Sequence, residues 1–197
     1  MIRKAVFGGS FDPIHIGHLR FAIEAQEQLG FDELILEPAK RSPFKPQPPI
    51  ASAQLRFEMV TRAVEGLPNL KPGRFEIDGP EPSYTVKTVE HYAENDCDLW
   101  LMVGPDAIKH FAAWRDPEQI LQSARIATIS RSVDAIEEVA KNLPLPWRGH
   151  VDFVLMEPIS VSSTVIRTKI AKGLSVRHLL PAEVETLIAQ HGLYQKV

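Results

Sequence analysis

The chain is organised around the stretch Gly8-Gly9-Ser10-Phe11-Asp12-Pro13-Ile14-His15-Ile16-Gly17-His18-Leu19. It follows a short apolar run at residues 5–7, which is typical of the end of a buried strand, and it precedes a helical pattern that ends at Gly30. The adjacent glycines allow the backbone to turn sharply and to approach a ligand. A strand, a glycine-rich loop and a helix N-terminus in this order bind phosphate through backbone N–H groups and the helix dipole. The stretch therefore predicts an anion site with His15 and His18 beside it.

Parts of this stretch also have simpler interpretations. A glycine pair after a strand is common, and a lone histidine is most often structural. The spacing matches neither the dinucleotide-binding Gly-x-Gly-x-x-Gly pattern nor a P-loop, because no Gly-Lys-Ser/Thr follows. Two histidines on either side of Gly17, in a loop that opens with Gly-Gly-Ser-Phe-Asp-Pro, are harder to explain as structure alone. The stretch resembles the T/H-x-G-H nucleotidyltransferase superfamily, which implies that the loop wraps the ATP phosphates and that the second histidine assists at the α-phosphate.

Composition limits the classes of function. At 197 residues, with 44% apolar and 24% charged residues, the chain is long enough for one globular domain with a sizeable core. A net charge of −3 gives no reason to expect a nucleic-acid or membrane partner, and a homo-oligomer stays open. The single cysteine, Cys97, excludes an intramolecular disulfide and a cysteine-rich metal site. Because the first strand begins directly after Arg3-Lys4 and no apolar run is long enough to span a bilayer, we expect a cytoplasmic protein.

Apolar runs that alternate with helical patterns predict the fold class. The runs lie at residues 5–7, 34–36, 75–77, 98–103, 126–129 and 151–156, and residues 133–147 predict a helix followed by a proline-rich stretch. Strands alternating with helices predict an α/β fold with a doubly wound, largely parallel sheet. We expect a single domain over residues 1–197, with a C-terminal helical segment from about residue 162.

Two further segments favour anion binding. Residues 162–164, Ser-Ser-Thr, predict a helix N-cap and, with Arg167 one turn later, a second anion site. Residues 39–49 carry prolines that prevent regular structure, and their three basic side chains favour a lid over phosphates. The candidates for positive charge facing an anionic substrate are Lys40, Arg41, Lys45, Arg131 and Arg167.

Polar residues at four positions mark predicted helix starts. Ser52 begins a helix, and either Ser83 or Thr85 can cap a later one. Asp106 follows the fourth predicted strand, where it can cap a helix or bind a ligand hydroxyl. Capping alone explains each of these residues. For Asp106, the pattern leaves helix capping and ligand binding open.

Further motifs extend the resemblance over nearly the whole chain. Three motifs resemble, in order and spacing, segments of the nicotinate mononucleotide adenylyltransferase family. They are Pro82-Ser83-Tyr84-Thr85, Gly104-Pro105-Asp106 with Trp114, and Ser162-Ser163-Thr164 with Ile166-Arg167. The resemblance implies a Rossmann-like nucleotidyltransferase fold and a step of NAD biosynthesis. ATP and nicotinate mononucleotide would be the substrates, and deamido-NAD and pyrophosphate the products. Mg²⁺ would be carried on the ATP phosphates, with no dedicated metal site in the protein.

The resemblance also implies roles for individual residues. The expected catalytic residues are His15, His18 and Arg167, with His18 at the α-phosphate. The expected ATP-binding residues are Gly8, Gly9, Ser10, Phe11, His15, His18, Lys45, Ser162, Ser163, Thr164, Ile166 and Arg167. The expected acceptor-binding residues are Thr85, Asp106, Trp114 and Arg115, with the tryptophan packed on the pyridine ring.

Other functions stay open at this point. Phosphopantetheine adenylyltransferase shares the first motif, but it leaves residues 82–85 and Trp114 unexplained. A non-catalytic nucleotide-binding module would be expected to have lost the two histidines. A histidine–metal site is disfavoured, because two histidines and one aspartate offer no third and fourth ligand nearby. Pyrophosphate release from ATP and a mononucleotide separates an enzyme from a binding module.

Overall fold

The computed structural model describes residues 1–94, 96–130, 132, 136, 143–157 and 159–195, which form a six-stranded sheet flanked by helices. The strands are β1 (Ile2–Gly9), β2 (Glu33–Pro38), β3 (Leu70–Pro72), β4 (Cys97–Val103), β5 (Arg125–Ser130) and β6 (Val151–Leu155). Their order is β3-β2-β1-β4-β5-β6, and the pairs β1–β4, β4–β5 and β5–β6 are parallel. This order is that of a doubly wound, Rossmann-like sheet. The predicted fold class is therefore confirmed.

Helices connect the strands. They are α1 (Ile16–Leu29), α2 (Ala53–Val64), α3 (Phe75–Asp78), α4 (Thr85–Tyr92), α5 (Pro105–Lys109), α6 (Pro117–Ser123), α7 (Ser163–Ala171) and α8 (Ala182–Gln190), with 3-10 turns at Phe111–Ala113 and Leu145–His150. Ser52 and Ser162 cap α2 and α7, because each hydroxyl accepts a hydrogen bond at 3.2 Å from a backbone N–H three residues later. Both caps are confirmed. In the described part of the chain, no helix has the length and apolar character needed to cross a membrane.

The chain divides into two compact units. The first comprises Met1–Gly8, Phe21–Ile35 and Tyr84–Pro158, and the second comprises Gly9–Arg20, Leu36–Ser83 and Ile159–Val197. The first unit has a core in which apolar residues of β4 and β5 pack with those of α4 and α6. In the second unit, α2 and α8 pack against each other through buried aliphatic side chains. The single domain over residues 1–197 stays a prediction.

The third predicted strand is wrong. Residues 75–77 belong to the one-turn helix α3, and the third strand is β3, at residues 70–72. Apolar alternation over three residues fits one helical turn as well as it fits a strand. The sequence pattern did not predict β3, because this strand is only three residues long and contains Pro72. It lies at the edge of the sheet, where a proline is tolerated because one side of the strand pairs with none of the other described strands.

The predicted cap of α4 is also wrong. The residue that precedes the helix is Tyr84, and its side chain makes no capping hydrogen bond within the described residues. Ser83 instead uses its hydroxyl oxygen to accept the backbone N–H of Lys40 at 3.1 Å, a contact across 43 positions. The prediction for Arg131, and the part of the predicted helix at residues 133–135 and 137–142, lie outside the described residues.

Candidate active site

Glycines shape the loop after β1. Phe11 has a φ of 44°, in the left-handed region that aromatic residues rarely adopt. Its ring lies over Gly9, where an added Cβ would be 2.9 Å from ring atoms Cε1 and Cζ. At Gly17 an added Cβ would be 3.0 Å from Cγ1 of Val161 and 3.1 Å from Nδ1 of His15. The loop can therefore fold closely around two aromatic rings only because both positions lack a side chain.

The two histidines of the loop form a stacked pair. The ring centroids of His15 and His18 are 3.6 Å apart, with an angle of 21° between the planes. The ring of Phe11 meets that of His18 edge-on, with the centroids 5.0 Å apart. The backbone N–H of His15 donates to Nδ1 of His18 at 3.2 Å. Because Nδ1 is the acceptor, a neutral His18 carries its proton on Nε2, and that nitrogen can donate a hydrogen bond.

Burial keeps both imidazoles neutral. Desolvation lowers the pKa of His15 from 6.5 to about 4. The pKa of His18 is lowered well below its ordinary value, first by burial and then by the neighbouring His15 and Lys45. Nδ1 of His15 is buried and has no hydrogen-bond partner among the described residues. An orphaned polar atom of this kind is costly unless something else, such as a ligand or an ion, supplies the missing contact.

Cations from two other segments face this loop. Nζ of Lys45 donates to Oγ of Ser10 at 2.9 Å, and its pKa is lowered by burial and then by Arg167. Arg167, one turn into α7, donates from Nη1 to the carbonyl oxygen of Asp12 at 2.7 Å and from Nη2 to Oγ1 of Thr164 at 3.3 Å. The start of α7 therefore presents hydroxyls, a guanidinium and the positive end of a helix dipole together.

A cavity of about 530 Å³ lies among these segments. Its walls are the glycine-rich loop (residues 8–19), the proline-rich segment (residues 39–49, followed by Ile50) and the start of α7, and the residues that line it belong to the second unit. The lining residues are Ser10, Phe11, Asp12, His15, His18, Lys45, Pro46, Gln47, Pro48, Pro49, Ile50, Ser162, Ser163, Thr164 and Arg167. Its size is in the usual range for a small-molecule pocket. Nine of the twelve residues predicted to bind ATP line it.

The other three predicted ATP residues lie elsewhere. Gly8 and Gly9 are at the end of β1 and are not among the described residues that line the cavity. The side chain of Ile166 is fully buried, so it contributes to packing under α7. Lys40, a candidate for positive charge, donates from Nζ to the carbonyl oxygen of Gly79 at 2.9 Å.

Sequence reasoning missed two buried charges that shape the cavity. Asp12 is 6% exposed, and its carboxylate accepts hydrogen bonds from the backbone N–H groups of Ile50 and Ala51. Arg56 is 1% exposed and donates to four backbone carbonyls, those of Ser10, Ala39, Lys40 and Ala51. A signal for Arg56 was present, because it occupies an apolar position in the i, i+3, i+4, i+7 pattern of α2 with Met59, Val60 and Ala63.

The residues predicted to bind the acceptor lie in the first unit. Thr85 is the first residue of α4, and the guanidinium of Arg115 lies 4.5 Å from the ring centroid of the preceding Tyr84. Trp114 is half-buried, and its ring is 5.2 Å from that of Phe111. The structure thus brings Arg115 to the start of α4.

Asp106 is the least constrained of the predicted acceptor residues. The residue that precedes α5 is Gly104, so Asp106 lies inside the helix and does not cap it. Its side chain is 94% exposed, and its carboxylate accepts a hydrogen bond from Lys109 at 3.2 Å. The capping interpretation is therefore wrong, and the ligand interpretation stays a prediction.

Comparisons with known proteins identify relatives of this chain. A cytidylyltransferase-like family profile matches residues 6–169. A protein from Methylacidiphilum infernorum (isolate V4), named "Probable nicotinate-nucleotide adenylyltransferase", is 37% identical over 195 residues, covering 98% of this chain and 92% of the relative. A protein of the same name from Pseudomonas putida (strain GB-1) is 39% identical over 210 residues, covering 98% of this chain and 95% of the relative.

A solved structure shares the fold. The Plasmodium falciparum nicotinic acid mononucleotide adenylyltransferase complexed with NaAD superposes with a TM-score of 0.78. The match covers 100% of this chain and 99% of the other, at 16% sequence identity. At that identity the likeness concerns the fold alone.

Proposed function

The chain belongs to the nicotinate-nucleotide adenylyltransferases of the cytidylyltransferase-like family, and from this premise we propose which of its residues carry the reaction. The enzyme joins ATP and nicotinate mononucleotide to give deamido-NAD and pyrophosphate, a step of NAD biosynthesis. One observation carries the assignment of the ATP site. Two stacked imidazoles, a lysine, an arginine and the start of a helix line one cavity of suitable size.

The reaction needs charge stabilisation rather than an activated nucleophile. The 5′-phosphate of the mononucleotide is already a competent nucleophile, and it attacks the α-phosphorus of ATP while pyrophosphate leaves. No covalent intermediate is required, so catalysis rests on in-line positioning and on neutralising the charge that grows on the phosphate oxygens. A cavity lined by hydrogen-bond donors and cations suits this task.

His18 acts on the α-phosphate. Its Nδ1 accepts the backbone N–H of His15, so in the neutral ring Nε2 carries the proton and would donate it in a hydrogen bond to an α-phosphate oxygen. His15 lies in the same phosphate region and orients His18 through that N–H and the stacked ring. A bound triphosphate favours the protonated imidazole, opposing the effect of burial on the pKa of both residues.

The β- and γ-phosphates are held by Lys45, by Arg167 and by the start of α7. Ser163 donates its hydroxyl to the carbonyl oxygen of Pro13 at 2.9 Å, which ties the start of α7 to the loop that carries the histidines. Arg167 donates a hydrogen bond to the hydroxyl oxygen of Thr164, so the hydroxyl and the guanidinium lie side by side at the cavity. These groups favour the departing pyrophosphate as its charge grows.

Mg²⁺ is carried on the ATP phosphates. The Asp12 carboxylate already accepts hydrogen bonds from the protein at both oxygens, so it is committed to structure and not to a metal. The remaining donor set of the cavity suits phosphate oxygens, and the phosphates in turn supply the oxygen ligands that Mg²⁺ prefers. When bound, the ion neutralises part of the charge on the triphosphate.

The nicotinate end of the acceptor is held by Trp114, Arg115 and the start of α4. The half-buried indole supplies a ring face for the pyridine. The backbone N–H of Thr85 lies at the positive end of α4, which suits the nicotinate carboxylate. A nicotinamide would bring its own N–H against such a donor and leave it unpaired, so the nicotinate acceptor should be preferred. Asp106 is the candidate for a ribose hydroxyl.

A coupled pyrophosphate assay with three acceptors tests this function. The purified protein is supplied with ATP and Mg²⁺ and with nicotinate mononucleotide, nicotinamide mononucleotide or phosphopantetheine. Rapid pyrophosphate release with the nicotinate acceptor, and a much lower kcat/KM with the other two, is the expected result. Preference for phosphopantetheine would move the chain to another reaction of the superfamily, and equal efficiency with both mononucleotides would contradict the carboxylate-binding role of α4.

A further inference from the structure

Asp12 joins the segments that line the proposed ATP cavity. Its Oδ2 accepts the backbone N–H of Ile50 at 2.8 Å, and its Oδ1 accepts that of Ala51 at 3.1 Å. Its main-chain carbonyl accepts Nη1 of Arg167 at 2.7 Å. One residue of the glycine-rich loop therefore holds both the end of the proline-rich segment and the arginine of α7. All of these residues lie in the second unit.

A third donor completes the carboxylate. The hydroxyl of Tyr194, which follows α8, donates to Oδ1 of Asp12 at 2.7 Å across 182 positions of sequence. The tyrosine is 2% exposed, and burial together with Asp12 raises the pKa of its hydroxyl, which therefore stays a protonated donor. It is not among the described residues that line the cavity, and its hydroxyl contacts one that is, Asp12.

The backbone around Tyr194 is arranged to deliver this hydroxyl. Gly192 has a φ of 58° and ends α8, and Tyr194 itself has a φ of 64°. An aromatic residue in the left-handed region costs free energy, and it persists where surrounding contacts hold it. Such conformations cluster at functional sites, and here the strained residue makes a short hydrogen bond to a residue of the cavity wall.

We propose that Tyr194 is a positioning residue for ATP that acts through the Asp12 carboxylate. Its O–H fixes Asp12, which in turn keeps the glycine-rich loop and the end of the proline-rich segment in the arrangement that receives the triphosphate. The inference rests on the proposed ATP site. Without the hydroxyl, the carboxylate keeps only its two backbone donors, and loop arrangements that bind ATP poorly become more populated.

Tyr194→Phe tests this inference, because it removes the hydroxyl and keeps the buried ring. A hydrogen bond to a charged group is strong enough that its loss should raise the KM for ATP by about tenfold. The KM for nicotinate mononucleotide should change by less than about twofold, since the acceptor residues lie in the other unit. Tyr92→Phe is the matched control, because it removes a hydroxyl at the end of α4 and should keep both KM values.

A purely structural tyrosine would give a different result. It would lower the melting temperature of Tyr194→Phe and leave the KM for ATP of the folded enzyme unchanged, and that outcome overturns the inference. Inactivity of the wild-type protein with every acceptor would instead reject the proposed function.

A double-mutant cycle with Asp12→Ala tests the route through Asp12. In the Asp12→Ala background, Tyr194→Phe should change the KM for ATP by less than about twofold, because its partner is already gone. A tenfold effect in both backgrounds would show that the hydroxyl acts by another route and would overturn the inference. If Asp12→Ala does not fold, the KM for ATP of Tyr194→Phe decides by itself.

Discussion

Lowering the pH should destabilise the ligand-free protein through His15. Burial lowers the pKa of this imidazole from 6.5 to about 4, and the residue is 7% exposed. Between these two values the unfolded chain binds a proton at His15 that the folded chain does not bind. The free energy of unfolding therefore rises with pH across this window, and the contribution of the neutral His15 is lost as the pH falls through it. For a shift of this size, the linkage relation gives a loss on the order of 2 kcal/mol between pH 7 and pH 5.

Urea unfolding at a series of pH values measures this loss. His15→Gln keeps a polar side chain but cannot titrate, so the variant should lose about 2 kcal/mol less than the wild-type protein between pH 7 and pH 5. His18 is present in both proteins, and burial, the largest cause of its lowered pKa, acts in both, so most of their difference comes from His15. Replacing the exposed His150 with glutamine is the matched control for the same change of side chain outside the cavity. Identical pH dependence in wild type and His15→Gln would refute the buried neutral imidazole.

Three further substitutions test the proposed roles. His18→Ala should lower kcat on the order of 10²–10³-fold, because the hydrogen bond that His18 donates acts on charge that develops in the transition state. The Kd for ATP, measured by calorimetry, should change little. A near-normal kcat would remove His18 from the mechanism. Trp114→Ala should raise the acceptor KM about tenfold in steady-state kinetics, whereas early melting with an unchanged KM would mean that the indole only packs. Arg56→Lys should lower the free energy of unfolding, measured in urea, by about 2 kcal/mol. An ammonium group cannot replace a guanidinium that donates to four carbonyls. A variant as stable as the wild-type protein would contradict this prediction.

The reaction explains why the described residues around the cavity need no nucleophile–base pair. The acceptor brings its own nucleophile, and the polar side chains among the described lining residues are hydroxyls, imidazoles, an amide and two cations, with Asp12 as the carboxylate. That carboxylate is saturated by the protein, which leaves its charge balancing Lys45 and Arg56 rather than meeting substrate.

Local patterns in the sequence determined the fold class and indicated where the candidate site lies. The run of apolar residues at 99–103, buried throughout, indicated a central parallel strand, and it is one. Ser162 indicated a helix start, which its hydrogen bond to Val165 confirms. The glycine-rich loop indicated an anion site because a strand, a glycine pair and a helix start follow one another directly in the sequence. Periodicity, capping and turn chemistry act over a few residues, so these features can be recognised without a partner from elsewhere in the chain.

Only the tertiary structure decided what holds that site in place. The sequence does not reveal that Tyr194 donates to Asp12 across 182 positions, or that Arg56 binds carbonyls on both sides of the proline-rich segment. The same limit produced the wrong third strand, because whether residues 70–72 or 75–77 pair in the sheet depends on the position of β2. A buried polar group is stable only when donors and acceptors meet it in space, and those partners come from segments that are distant in sequence.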